Sequence, residues 1–393
     1  MMNNTVAGEE EGHADNIIEV QAYEAPMPSQ RAKDIFLAWH RPRKQYVRHH
    51  QWCREVQALI ATQKPKEGVL KYLGLPGLDL LDLRHFHAAI CVQHAVKLRF
   101  LGFNTSARPN SAAQTELNVS MDEVKRLVQV DPRSEVIGDD FKQLANQKSM
   151  AFQKARELGP YDVINLDLCD GFGAGAPGGL QPSYYTAVNN LLSIQARNPA
   201  PWLLFLTTRA DKPNINEAVL KVLIDKYCAN LAQCPSFRDA SRDHFAIETD
   251  EAVARATEQP KGLLEVFLTG LCKWFLGLAL GHTPPISVEL ISVVGYRVDK
   301  GAEHEDLVSL ALKFTPTHIA ALDPLRLAAD AANGPDEGTL ATKALRKVAK
   351  RLDADKKLAN DAALLKQMTE DTASLLRLAR YDAQKYMEWV AAL

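Results

Sequence analysis

From about residue 75 to Pro316 the chain alternates short, almost continuously apolar runs with longer stretches of amphipathic spacing. "LDLLDL" (78–83), "LRFLGFN" (98–104), "SEVIGDD" (134–140), "YDVINLDL" (161–168) and "PWLLFLTTRA" (201–210) have the length and composition of strands buried on both faces. Between them "AAICVQHAV" (88–96), "SMDEVKRLVQV" (120–130), "SMAFQKARELG" (149–159) and "PSYYTAVNNLLSIQAR" (182–197) read as helices, and "NEAVLKVLIDKYCANLAQ" (216–233) follows as another. Ser120 and Glu123 have capping-box spacing, which predicts a helix start at 120. Two further strand runs, "ISVELISVVGYRV" (286–298) and "DLVSLALKFTP" (306–316), are separated by the short turn 299–305. That turn is too short for a parallel crossover, so these two strands pair antiparallel. The expected fold is α/β: a doubly wound, mostly parallel seven-stranded sheet with an antiparallel terminal hairpin and helical N- and C-terminal extensions.

The flanks differ in charge. Residues 1–30 carry Glu9, Glu10, Glu11, Asp15, Glu19 and Glu24 and no Lys or Arg, which predicts a disordered acidic arm. Residues 31–74 form a basic segment expected to be helical, 75–333 the sheet domain, and 334–393 a helical extension after a hinge at Gly334, Pro335 and Gly338. In that extension Lys343, Arg346, Lys347, Lys350 and Arg351 fall on one helix face.

Composition narrows the class. The net charge of −2 gives no global attraction for nucleic acid, so such binding needs a local patch. The most apolar run, Gly262–Gly281, contains Glu265 and Lys273 and reads as a buried helix rather than a membrane span. The N-terminus has no signal-peptide pattern. The six cysteines form no CxxC pair, which fits a reducing cytoplasm and no structural metal. His85, His87 and His94 cluster, with Asp82 as a conceivable further ligand, but read as satisfied or exposed histidines.

The order of elements and the terminal hairpin resemble the class I S-adenosylmethionine-dependent methyltransferase fold, a Rossmann-type family, over roughly residues 75–317. The resemblance implies S-adenosylmethionine as cofactor, bound at the carboxyl ends of strands one to four. It implies Asp82 (or Asp79) after strand one, Asn104 after strand two at the ribose, and Asp139 or Asp140 after strand three near the adenine amino group. The sequence departs from the family after strand one, where Arg84, His85, Phe86 and His87 stand in place of glycines and Gly74 and Gly77 come before the strand.

After strand four comes "LDLCDGFGAGAPGG" (166–179). Its spacing is neither GxGxxG nor GxxxxGK[ST], so it is not a phosphate cradle. "DGFGAGAP" (170–177) is weakly similar to the DPFGSP signature of the tRNA guanine-N2 dimethyltransferases, with Gly171 in place of its first proline. That likeness implies Asp167 or Asp170 as catalytic carboxylate facing the target amine, with Gly171, Phe172 and Gly173 against the substrate. The same stretch reads equally as a flexible lid with Asp167 as a helix cap.

Arg41–Arg54 carries five cations interleaved with Tyr46 and Trp52, just after Trp39. Arg43, Lys44 and Arg48 are therefore candidate substrate contacts to nucleic-acid phosphates, with aromatics to stack on bases and the 343–351 face adding charge. The segment reads equally as a solvated face or as a dock for the acidic arm. The expected function is a diverged methyltransferase acting on a nucleic acid or a nucleic-acid-associated protein. The alternatives are a catalytically inactive methyltransferase-like scaffold for a protein or nucleic-acid partner, and another nucleotide-binding Rossmann enzyme.

Overall fold

A computed structural model describes residues 32–168, 170–175, 182–299, 301–317 and 336–393. The acidic arm, Cys169, the end of the glycine-rich loop, Gly334 and Pro335 lie outside the described residues.

One mixed sheet of eight strands organises the chain: β1 (Val69–Gly74), β2 (Lys97–Phe103), β3 (Glu135–Ile137), β4 (Val163–Asp167), β5 (Trp202–Arg209), β6 (Ile286–Tyr296), β7 (Leu307–Pro316) and β8 (Leu352–Asp353). Their order across the sheet is β3-β2-β1-β4-β5-β7-β6-β8. β3, β2, β1, β4 and β5 are parallel, and β7 runs antiparallel to both β5 and β6. This is the expected doubly wound, mostly parallel sheet with an antiparallel terminal hairpin, with one more strand than expected: β8 adds two residues beside β6 in parallel. Strand order reverses between β1 and β4, the place where doubly wound sheets open a crevice at the carboxyl ends of their strands.

Alternation along the strands fills both faces. Leu73, Leu101, Ile164 and Leu204 belong to one core layer, whereas Tyr72, Phe100, Val163 and Phe205 belong to the other. Across β5 and β7, Trp202 stacks on Phe314 with ring centroids 4.0 Å apart.

Two expected elements are corrected. The first strand is not "LDLLDL" but "VLKYLG", which pairs with β2 from Val69↔Lys97 to Gly74↔Gly102 and with β4 through Tyr72↔Val163. The sheet thus begins inside the stretch expected to be helical. "LDLLDL" becomes a turn and the start of the helix Leu81–Phe86, entered through Leu80 in the left-handed region at φ 52°. Its leucines are buried against helices: Leu80 and Leu83 in one layer, Leu81 against Leu375 and Leu376. The helix expected from 120 begins at Gln114, so Ser120 is a buried mid-helix residue rather than a cap. Glu123 is held instead by Arg84 and Arg380.

The N-terminal helix runs α over Pro42–Tyr46, widens to a π-helix over Val47–Cys53 and returns to α over Arg54–Thr62. Val47, Trp52 and Val56 bury it on the sheet, and Trp52 Nε1 donates to Ser309 Oγ at 3.0 Å. The helix Pro260–Leu280 has the length and apolarity to cross a membrane, yet 72% of its apolar window is buried inside the protein. Glu265 within it pairs with Arg351 at 3.3 Å. The C-terminal helices Ala362–Leu378 and Ala383–Ala391 return to the N-terminal segment, where Lys33 forms a bridge with Tyr381.

Candidate active site at the strand tips

A cavity of about 680 Å³ opens at the carboxyl ends of β1 to β4. Every residue expected to hold a cofactor lines it (Asp82, Asn104, Asp139 and Asp140), and so do both expected catalytic carboxylates, Asp167 and Asp170. The parallel strands bring them together: each side chain lies at or beyond the end of its strand, and neighbouring tips face one crevice.

The loop after β1 forms one wall. Gly74 ends β1 and Gly77 lies in the loop after it, whereas the sequence reading placed both before the first strand. A Cβ added at Gly77 would meet nothing within 4 Å, so the loop presents open space there. Gly102 on β2 lets this loop lie close, since a Cβ there would come 2.8 Å from the Pro76 ring. None of Arg84 to His87 lines the cavity. Arg84 turns away to donate to the Asp79 carbonyl at 2.9 Å and to Glu123 at 2.5 Å. Phe86 packs on Tyr72, and His87 Nε2 lies 2.5 Å from the Val128 carbonyl oxygen. Among the described residues no group of three or more His, Cys, Asp or Glu is placed to hold a metal.

Asn104 is already engaged: its Nδ2 donates to the Pro76 carbonyl at 2.9 Å and its Oδ1 accepts from the Ser106 N–H. It braces the β1 loop against the tip of β2. Asp139 accepts from the Asp140 N–H, and Asp140 caps the short helix Phe141–Ala145 by accepting from the Lys142 N–H. Phe141, beside them, stacks with Tyr184 at 6.4 Å between ring centroids, so the wall after β3 combines carboxylates with flat aromatic surface.

The floor carries the main surprise. Lys44 Nζ meets Asp167 Oδ1 at 2.5 Å, and Arg48 Nε meets Asp82 Oδ1 at 2.6 Å. Both cations come from the N-terminal helix, where the π-helix spans Arg48; such bulges recur at functional sites. Burial pulls the Lys44 ammonium down, but Asp167, Tyr296 and Asp82 outweigh it and hold the group above its ordinary value. Arg43, Lys44 and Arg48 are at most 8% exposed, and Arg43 pairs with Asp355 at 3.0 Å. The expectation of an exposed basic face over Arg43, Lys44 and Arg48 is corrected: all three are buried, and each pairs with a carboxylate.

The loop after β4 is likewise pinned. Phe172 is 1% exposed, its N–H donates to Thr208 Oγ1 at 2.7 Å, and its carbonyl accepts from Tyr185. A Cβ at Gly171 would collide with the Asn214 carbonyl, and the Gly173 carbonyl accepts from the Asn216 N–H. Gly171, Phe172 and Gly173 are therefore anchors, not cavity wall. Asp170 is exposed and accepts from Tyr184 Oη at 2.9 Å.

Tyr381 escaped the sequence reading as a wall residue, as did the position of Trp39 beside it at the cavity. Asp79 is held by Lys33 at 2.5 Å and by Tyr381 Oη at 2.9 Å, and Trp39 stands at the cavity 48% exposed. Lys33, Trp39 and Tyr381 come from distant ends of the chain, and no local pattern signals that meeting. Gly74 and Gly77 did carry a signal: a β-rich run, VLKYLG, immediately before LPG.

A family model described as PP_RS20740-like matches residues 33–391. No curated protein matches. Among solved structures, the chain is similar to a Listeria monocytogenes protein described as a "putative class i s-adenosylmethionine-dependent methyltransferase", at 10% identity and a TM-score of 0.34. That likeness covers 73% of this chain, and the chain spans 64% of the length of the other.

Proposed function

The chain belongs to the PP_RS20740-like family, and from its strand-tip cavity we propose that it is an S-adenosylmethionine-dependent methyltransferase. One observation carries the reading: Asp82, Asn104, Asp139, Asp140, Asp167 and Asp170, drawn from four successive strand tips, line one cavity beside an open glycine at Gly77.

The donor set fits the cofactor. Asp139 and Asp140 each use one carboxylate oxygen on a backbone N–H, leaving acceptor capacity for an exocyclic amino group. Phe141 offers an apolar face to a flat ring. Gly77 leaves room for close approach, and Arg48 brings a cation to the wall for a carboxylate. S-adenosylmethionine supplies an electrophilic methyl group on a sulfonium. The chain's own work is to exclude water, orient, and accept hydrogen bonds. Asp170, exposed at the rim, can accept from an attacking amine and stabilise the positive charge that develops on it. A nucleic acid, or a protein bound to one, is the methyl acceptor in this reading. It is supported by the cations Lys343, Arg346, Lys347 and Lys350, which the helix Glu337–Ala349 and the residue after it leave exposed.

A second reading, a catalytically inactive scaffold, is favoured by the Lys44–Asp167 ion pair, which engages a carboxylate the chemistry would use. Calorimetric titration separates the two. The methyltransferase reading expects heat with both S-adenosylmethionine and S-adenosylhomocysteine, weakened by Asp140→Ala. Folded protein that gives no heat at millimolar cofactor removes the methyltransferase reading.

A further inference from the structure

A second cavity, of about 430 Å³, lies on the other side of the N-terminal helix and shares no lining residue with the first. Arg41, Arg43 and Arg297 line it together with Asp299 and Asp355. The two carboxylates are unequal. Asp299 is held from outside the cavity by Arg209 at 2.5 Å. Asp355 takes Arg43 Nη1 at 3.0 Å, Arg297 Nε at 3.6 Å and the Arg297 N–H at 2.7 Å. Three guanidiniums thus face two side-chain carboxylates, and Asp299 shares its one outside cation, Arg209, with Asp211 and Asp306.

Their donors are also in surplus. Arg43 Nε and Nη2 and Arg41 Nε are buried without a hydrogen-bond partner among the described residues. The Arg43 side chain is 10% exposed, fixed over the Tyr296 ring at 5.8 Å, so its fork cannot swing out to water. Burial, and then the neighbouring Arg43 cation, push the Arg41 guanidinium below its ordinary value, the mark of like charges crowded together. Buried guanidinium donors left unmade are costly, and the fork of each matches two oxygens of a tetrahedral oxyanion.

We propose that this cavity is a phosphate-binding site, taking a ligand whose phosphate group sits between Arg41, Arg43 and Arg297. The phosphate oxygens supply the acceptors that the buried Arg41 and Arg43 donors lack, and the negative charge offsets the one guanidinium in excess of the two lining aspartates. The assignment goes beyond the methyltransferase reading and stands without it. Two sources present the same group: a terminal phosphomonoester and a nucleic-acid backbone.

The test uses the full chain. Inorganic phosphate is titrated against chloride at equal ionic strength, by thermal melting and by calorimetry. Arg41→Ala is the main variant because Arg41 makes no ion pair among the described residues, and Arg297→Gln is the second. Phosphate is expected to raise the melting temperature of the unaltered protein. Each variant should weaken phosphate at least about tenfold, in line with loss of a charge-assisted contact, while S-adenosylhomocysteine titration of the same variants reads the first cavity and stays unchanged. A short single-stranded oligonucleotide displaced by phosphate and lost in the variants identifies a backbone; phosphate binding without oligonucleotide binding identifies a monoester. No phosphate-specific effect on the unaltered protein, or an effect kept in full by Arg41→Ala, overturns the site.

Discussion

The two cavities flank one helix, and four cations within eight residues of chain have opposite fates there. Lys44 and Arg48 point to the strand tips, each within 2.6 Å of a carboxylate. Arg41 and Arg43 line the other cavity, where Arg43 pairs with Asp355, Arg41 has no ion pair among the described residues, and both keep buried donors without a partner. A sequence count treats all four as one basic patch. The fold turns two of them into internal counter-ions and leaves two in want of an anion. What a charged residue does is decided by the partner waiting at its tip, not by the density of charge along the chain.

That contrast can be broken most forcefully at the committed pair. Arg48→Ala strands Asp82, whose side chain is 9% exposed, and should cost about 3–5 kcal/mol of stability, read from urea denaturation midpoints. A loss below about 1 kcal/mol would show that the pair does not hold the floor together. Arg48→Met with Asp82→Leu should recover most of the loss, because the uncompensated charge is gone.

Next in size is a pH effect from the same segment. His40 is fully buried, and burial, then the Arg48 charge, bring its pKa down to about 4. Native protein therefore resists the proton that the unfolded chain accepts at about 6.5. Above that value His40 is neutral in both states and contributes no slope. Between about pH 6.5 and 4 the unfolded state binds more protons and stability falls on acidification, by about 3 kcal/mol at the lower end. His40→Asn should flatten this part of the stability profile.

A smaller change tests the first cavity directly. Gly77→Leu fills open space without a positive-φ penalty, so the fold should survive while S-adenosylhomocysteine affinity drops at least about tenfold, or 1.4 kcal/mol. Unchanged affinity would place the cofactor elsewhere.

Smallest of all, Arg41→Ala in phosphate-free buffer should shift stability by no more than about 0.5 kcal/mol. It removes no ion pair and relieves repulsion from Arg43. Set beside Arg48→Ala, it sharpens the distinction between a cation with a partner and one without.

The sheet was legible where apolar runs were unbroken. β2, β4, β5 and the hairpin all stand where their patterns placed them, and the six strand-tip acids and amide followed, because parallel strands deliver their ends to one crevice. β1 was not legible. Lys71 interrupts its run, and the neighbouring "LDLLDL" is apolar because Leu80, Leu81 and Leu83 are buried from a turn and a helix rather than from a strand. The helix from Gln114 starts without a capping side chain, so the Ser120 and Glu123 spacing misled. The burial of Arg43, Lys44 and Arg48 depends on Asp355, Asp167 and Asp82, up to 312 residues away, and no window of sequence contains that information.

The contact of Tyr381 with Asp79 closes one wall of the first cavity from the link between the last two helices. During synthesis the sheet can form well before residue 381 leaves the ribosome, but the wall it supplies cannot. That wall is thus among the later parts of the chain to be synthesised, and a chain shortened before Tyr381 lacks its contact with Asp79.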